Sequence, residues 1–132
     1  MRKINRVFRW FLIPPVLVMS GIFYLSSIPG TRLSLDLFPN ADKVAHLIVY
    51  GILALSFAFS LVPFQWKTKG FKMVLFVVLV STGFGVTDEL HQFFVPDRSV
   101  SVADLSADMI GSFLAVFLFY KTRLWERFSK PD

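Results

Sequence analysis

Residues 71–95 read FKMVLFVVLVSTGFGVTDELHQFFV. Every residue from Met73 to Val86 is apolar or small, and two acids, Asp88 and Glu89, follow shortly after. An α-helix rises about 1.5 Å per residue, so roughly 20 apolar residues cross the ~30 Å hydrocarbon layer of a bilayer. The stretch therefore predicts a transmembrane helix with two acids near one end.

Three further stretches have a comparable length and composition. They cover about residues 10–28, 41–62 and 102–120. We therefore predict an all-α fold, an integral membrane four-helix bundle that forms one domain over residues 1–132. A basic segment precedes the first stretch, as in a signal peptide, but no small-x-small cleavage site closes it, so we expect an uncleaved helix.

The composition excludes several classes of function. Hydrophobic residues make up 55% of the 132 residues, far more than in a soluble domain of this length. The net charge is +5, but the basic residues lie beside the apolar stretches, so we predict no nucleic-acid partner. The chain has no cysteine, which excludes disulfides, thiolate catalysis and cysteine-based metal centres.

The basic residues also predict the orientation. Eleven of the 14 Lys and Arg residues lie in the N-terminal segment, the second loop and the C-terminal segment. The other three, Arg32, Lys43 and Arg98, lie in or beside the first and third loops. Cytoplasmic loops are enriched in Lys and Arg, so both termini are predicted to be cytoplasmic. Seven of the nine acids then fall toward the outer side.

Three of the predicted helices carry polar residues on one face near the outer end. Asp42, His46 and Tyr50 are spaced four apart on the second helix, which puts them on the same face. The polar residues of the third and fourth helices at the same depth are Asp88, Glu89, His91, Gln92, Asp104 and Asp108. We expect the three helices to turn these residues toward a common pocket that opens outward.

Ionisable residues inside a membrane are costly, at roughly 2.5–3.5 kcal/mol each, and usually face the bundle interior. A pocket with several carboxylates and two histidines can bind a divalent cation, carry out acid–base chemistry or relay protons. Four residues are therefore candidates both for catalysis and for holding a metal ion: Asp88, Glu89, His46 and His91.

Each of these polar residues also has a structural explanation. Ser101 and Asp104 fit a capping box at the start of the fourth helix, and Asp42 lies where an acid meets the positive end of the second helix. His46 and Tyr50 fit a hydrogen-bonded pair in the core. The adjacent acids Asp88 and Glu89 require partners, and Arg98 or Lys43 can serve in a buried ion-pair network.

The outer end also has features that suit an anion. The second and fourth helices both begin there, so two positive helix ends point outward, close to basic side chains. A phosphate or carboxylate on a substrate is the ligand expected. The candidate substrate-binding residues are Arg98, Asp42, Lys43, Tyr50, Gln92, Asp104 and Asp108.

At these positions the chain resembles the VanZ-like family of small bacterial membrane proteins, over about residues 23–119. The matching elements are Tyr24-Leu25-Ser26-Ser27, Asp42-Lys43-x-x-His46, Tyr50-Gly51, Asp88-Glu89-x-His91-Gln92-x-Phe94, Pro96-x-Arg98, and Asp104 followed by Gly111. Two positions depart from the family pattern. Asp97 replaces a frequent Gly, and Asp108 replaces a frequent Asn.

The resemblance implies a place in the cell envelope, since the family takes its name from a protein associated with resistance to the glycopeptide teicoplanin. We expect a multi-pass protein of the bacterial cytoplasmic membrane. Its expected partners are the lipid bilayer and a lipid-linked envelope precursor or a glycopeptide. Four short helices bury little surface, so a homodimer is also expected.

The alternative is a non-catalytic membrane protein whose polar residues form an ion-pair network, and the sequence leaves enzymatic activity open.

Overall fold

The computed structural model describes residues 12–32, 38–62 and 66–128. This part of the chain is helical and contains no strand, which confirms the predicted all-α bundle. Its helices are α1 (Ile13–Ser26), α2 (Ala41–Ser60), α3 (Trp66–Gln92) and α4 (Val102–Lys121), with short 3-10 helices at Gly30–Arg32 and Leu124–Arg127.

Three of the described helices, α2, α3 and α4, are long and apolar enough to cross a membrane. Helix α1 is apolar but has 14 residues, fewer than the roughly 20 that span the hydrocarbon layer. The predicted start of this helix at residue 10 lies outside the described residues, so its crossing of the membrane stays a prediction. Large apolar side chains such as Leu17 and Leu79 are exposed at the periphery of the bundle, where they suit contact with lipid.

Prolines define the beginning of α1. Pro14 and Pro15 occupy its first turn, where the fixed φ of proline suits a helix and its missing N–H costs no hydrogen bond. The helix ends at Ser26, and the Pro29-Gly30 step follows directly after its last turn.

Helix α3 begins earlier than the sequence predicts, at Trp66 instead of residue 71. Lys69 has non-helical backbone angles, with φ −126° and ψ 21°, so a kink separates a short first turn from the long helix. The predicted start lies just beyond this kink because the apolar run begins there. The helix ends at Gln92 rather than residue 95, and residues 93–100 form a loop.

Helices α2 and α4 form the central pair of the bundle, and glycine allows their close approach. A Cβ atom on Gly111 would overlap the backbone carbonyl of Leu47, and Gly51 packs on the opposite side of the same contact. The Ser112 hydroxyl donates a hydrogen bond to the Tyr50 carbonyl at 3.2 Å. Small residues thus let the two backbones meet, as expected inside a membrane.

The bundle has an apolar end and a polar end. The apolar end holds the main core, formed by Ala54, Ala58, Val62, Trp66, Val74, Val77, Val116, Phe119 and Trp125. The polar end is formed by the last turns of α1 and α3 and the first turns of α2 and α4. The ionisable residues of the described helices that are buried lie at this end.

Candidate functional site

A cavity of about 160 Å³ lies at the polar end between α1, α2 and α3. Its walls are formed by Ile22, Leu25, Ser26, Asp42, Ala45, His46, Val49, Tyr50, Asp88, Gln92 and Arg98. Pockets for drug-sized ligands have volumes of roughly 300–1,000 Å³. The cavity therefore has room for a small group, such as one terminus of a larger molecule.

Asp88 is the deepest acid of the cavity wall and is 3% exposed. Its Oδ1 atom accepts a hydrogen bond of 2.5 Å from the Ser26 hydroxyl, and its Oδ2 atom accepts one of 3.1 Å from the Gln92 amide. The bond from Ser26 joins α1 to α3, whereas the bond from Gln92 lies within α3. Ser26 is not among the predicted site residues, although this serine belongs to one of the elements shared with the VanZ-like family.

Arg98 lies in the loop after α3 and contacts the end of α1. Its Nε atom donates to the Ile28 carbonyl at 3.1 Å, and its Nη2 atom donates to the Leu25 carbonyl at 3.0 Å. The Leu25 carbonyl also accepts a hydrogen bond of 3.2 Å from the Ile28 amide, so Arg98 provides it with a second donor. Among the described residues Arg98 forms no ion pair with Asp88 or Glu89, and the ion pairs of the polar end involve Lys43 and His46 instead.

The loop that carries Arg98 is docked onto the chain after α1. The Gly30 amide donates to the Pro96 carbonyl at 3.1 Å, and a Cβ atom on Gly30 would overlap the Asp97 carbonyl. Asp97 itself has a φ of 58°, in the left-handed region that glycine adopts without steric cost and aspartate tolerates. This backbone conformation explains why glycine would suit the position.

His46 and Asp108 form a buried pair between α2 and α4. The His46 Nδ1 atom lies 2.9 Å from the Asp108 Oδ1 atom. The second oxygen of Asp108, Oδ2, is buried without a hydrogen-bond partner among the described residues. Gly85 of α3 makes room for it, since a Cβ atom there would lie 2.8 Å from Oδ2.

Tyr50 lies one turn below His46 and is 1% exposed. The two rings are nearly parallel, with an interplanar angle of 5° and centroids 6.2 Å apart. The Tyr50 hydroxyl has no hydrogen-bond partner among the described residues. The hydrogen-bonded pair considered from the sequence is therefore not what the structure contains, because the imidazole of His46 is paired with Asp108 instead.

Lys43 is held between two acids. Its ammonium group lies 2.8 Å from Asp42 Oδ2 and 2.9 Å from Asp104 Oδ1. Asp42 is largely exposed, whereas the Asp104 side chain is 11% exposed. The lysine thus connects the first turns of α2 and α4, and it is already neutralised by protein carboxylates.

Glu89 caps helix α4 from the neighbouring helix α3. Its Oε2 atom accepts a hydrogen bond of 2.8 Å from the Ser101 backbone amide. The Ser101 hydroxyl accepts one of 3.3 Å from the Asp104 amide, so one half of the predicted capping box is present. Glu89 supplies the other half in place of Asp104, whose carboxylate binds Lys43.

The four residues predicted to bind a metal ion do not come together. His91 faces α1, where Nε2 lies 3.0 Å from the Ser27 hydroxyl and the ring lies 4.4 Å from that of Phe23. His46, Glu89 and Asp104 do converge, with one potential ligand atom from each within 4.8 Å of the others. From the sequence, Asp104 is predicted to bind substrate or to cap a helix, because spacing along one helix does not reveal a neighbour on another.

The polar end is acidic overall. Its acids are Asp42, Asp88, Glu89, Asp97, Asp104 and Asp108, and its cations among the described helices and loops are Arg32, Lys43 and Arg98. Lys43 and Arg98 already bind protein oxygen atoms. The site therefore favours cations and hydrogen-bond donors more strongly than the sequence alone suggests.

Comparison with known proteins gives one match. No curated protein and no solved structure matches the chain significantly. A family model described as VanZ/LLP1 matches residues 11–125, which include all four helices and every residue of the polar end. The chain is therefore a multi-pass α-helical membrane protein that belongs to the VanZ family.

Proposed function

We propose that this protein binds a small polar end group of a cell-envelope molecule in the cavity between α1, α2 and α3. The observation that supports this proposal best is the environment of Asp88. This acid is buried at the cavity wall, and its hydrogen-bond partners are Ser26 and Gln92 rather than a cation. Burying a carboxylate with neutral donors alone is costly in a membrane. A bound ligand that donates to it would offset part of that cost.

The ligand is proposed to carry a phosphate or carboxylate as well as hydrogen-bond donors. Arg98 uses Nε and Nη2 on α1, and its Nη1 atom makes no hydrogen bond among the described residues. This atom suits an anionic group at the cavity entrance, while Asp88 and Asp42 suit donors on the same ligand. A volume of about 160 Å³ holds one terminus of a lipid-linked precursor or a glycopeptide, not the whole molecule.

The distribution of basic residues along the chain supports a cavity on the outer face of the bacterial cytoplasmic membrane. Envelope precursors are displayed on that face. A contribution to glycopeptide resistance follows only from family membership. If the ligand is modified, His46 is the proton donor or acceptor at the cavity wall, and Asp88 is the second candidate.

A second candidate function is that of a non-catalytic interaction protein. The observation that favours it is the pairing of Lys43 with Asp42 and Asp104, and of His46 with Asp108. The pairs Lys43–Asp104 and His46–Asp108 join α2 to α4 without any ligand. In that case the polar residues stabilise the bundle, and the function lies in a partner protein or a second copy of the chain.

The deciding experiment measures binding of a water-soluble, short-chain analogue of a lipid-linked wall precursor to the full chain in nanodiscs. Asp88→Asn is the test variant, and Glu126→Gln, which changes an exposed acid at the opposite end, is the matched control. The proposal expects binding to the wild type and the control, with at least tenfold weaker binding to Asp88→Asn.

Two results would contradict the proposal. One is equal affinity for all three proteins, and the other is no binding to a correctly folded wild type. The interaction alternative instead expects Asp88→Asn and Asp108→Asn to lower the midpoint of thermal unfolding without any ligand. Teicoplanin susceptibility of cells producing the wild type or Asp88→Asn tests the resistance role separately.

A further inference from the structure

We infer that His46, Glu89 and Asp104 form a binding site for one divalent metal ion, and that Asp108 orients His46. This site lies beside the substrate cavity and involves α2, α3 and α4. It shares His46 with the wall of the substrate cavity but does not require the proposed substrate. It differs from the set predicted from the sequence by including Asp104 instead of Asp88 and His91.

The separation of the three side chains fits a shared ion. One potential ligand atom of each lies within 4.8 Å of the other two. Zinc binds nitrogen and carboxylate oxygen atoms at about 2.0–2.2 Å, so two ligands of one ion lie at most about 4.4 Å apart. Side-chain rotations that move the ligand atoms by roughly 1 Å are enough to close the site.

An unpaired oxygen atom independently indicates a ligand. Glu89 is 4% exposed, and its Oε1 atom is buried without a hydrogen-bond partner among the described residues. Its Oε2 atom is already held by the Ser101 amide, which orients the carboxylate. A buried carboxylate oxygen without a donor is costly, and a cation at this position would satisfy it.

Asp108 prepares His46 for metal binding. A neutral imidazole that donates its Nδ1–H to a carboxylate keeps a lone pair on Nε2. The 2.9 Å separation between Nδ1 and Asp108 Oδ1 matches this arrangement. Carboxylates that accept from a metal-bound histidine are a usual feature of metal sites, because they orient the ring and increase its basicity.

The local charge also suits a divalent ion. Glu89, Asp104 and Asp108 carry three negative charges when ionised, and Lys43 is the cation that contacts this group among the described residues. Lys43 binds Asp104 through Oδ1, which leaves Oδ2 for a metal ion. One nitrogen and two carboxylate oxygens favour an ion such as Zn²⁺ or Mn²⁺ over a purely oxygen-seeking ion.

The test uses the full chain in nanodiscs after removal of metal with EDTA. Elemental analysis after dialysis against Zn²⁺ gives the stoichiometry, and titration with Mn²⁺ followed by electron paramagnetic resonance gives the affinity. We expect one ion per chain in the wild type. Glu89→Gln and Asp104→Asn should each weaken binding at least tenfold, and Asp108→Asn should weaken it about 10- to 100-fold as a positioning residue.

Glu126→Gln, which changes an exposed acid at the opposite end of the bundle, is the control and should leave Mn²⁺ affinity within about twofold. Asp88→Asn removes a buried acid of the same end that is not a ligand in this proposal, and it should weaken binding less than Asp104→Asn does. The inference is overturned if the folded wild type binds no ion, or if Asp88→Asn weakens binding while Asp104→Asn does not. If Glu89→Gln fails to fold, the number of ions bound per wild-type chain still tests the inference. The Mn²⁺ affinities of Asp104→Asn and Asp88→Asn test it as well. If Glu89→Gln or Asp104→Asn loses metal binding but still binds the precursor analogue, the metal site and the substrate site are distinct.

Discussion

The Nδ1 atom of His46 on α2 lies 2.9 Å from the Oδ1 atom of Asp108 on α4, although the two residues are 62 positions apart. The Asp108 side chain is 1% exposed, and that of His46 is 17% exposed. The pair joins the two central helices where the substrate cavity and the proposed metal site meet. Changes at Asp108 should therefore affect both the stability of the bundle and the position of the imidazole.

Removing the Asp108 side chain should destabilise the protein. Asp108→Ala leaves the Nδ1 atom of the partly buried His46 without its hydrogen-bond partner, and we expect a loss of about 1–3 kcal/mol in the free energy of unfolding. Asp108→Asn keeps a carbonyl oxygen that can accept, so its effect should be smaller. Unfolding in mixed detergent micelles measures both. Equal stability of Asp108→Ala and the wild type would show that the pair contributes nothing.

A methyl group at Gly111 should separate α2 from α4. The new Cβ atom would overlap the Leu47 carbonyl, and backbone cannot move aside as a flexible side chain can. We expect Gly111→Ala to cost about 1–3 kcal/mol, as overpacking does elsewhere. Gly83→Ala is the control, since a methyl group on Gly83 would meet no atom within 4 Å. That variant should be neutral or more stable by up to about 1 kcal/mol. Similar unfolding curves for the two would refute the close-packing argument.

Replacing Arg98 should loosen the end of α1. Arg98→Ala removes the donors to the Leu25 and Ile28 carbonyls, so amide hydrogen exchange in residues 22–28 should become faster by about tenfold. Arg32→Ala, at an exposed arginine of the same end, is the control and should leave exchange unchanged. If Arg98→Ala weakens ligand binding without changing exchange, the arginine acts on the ligand and not on the helix.

The predicted orientation can be measured directly because the chain has no cysteine. Single-cysteine variants Thr31→Cys and Glu126→Cys place a thiol at exposed positions on opposite ends of the bundle. A membrane-impermeant maleimide applied to intact cells should label Thr31→Cys and should label Glu126→Cys only after permeabilisation. The reverse pattern would place the polar end in the cytoplasm and exclude a substrate displayed outside.

Much of the architecture follows from the sequence because burial in a membrane leaves a strong local signal. The apolar run from Met73 to Val86 predicts a helix whatever surrounds it, since lipid offers no partner for an unpaired backbone group. The helix boundaries are predicted less well from the sequence. The kink at Lys69 and the early end of α3 at Gln92 depend on how the chain packs, which hydropathy does not report.

Sequence alone predicts the helical membrane fold, the family and the gathering of polar residues at one end, because these depend on composition and on spacing within single helices. The partners of those residues become known only from the packing of the helices. That packing pairs His46 with Asp108, gives Glu89 the cap of α4, and turns His91 toward α1. Such contacts join residues from different helices, and their distances depend on how the helices rotate and cross, which no periodicity within one helix encodes.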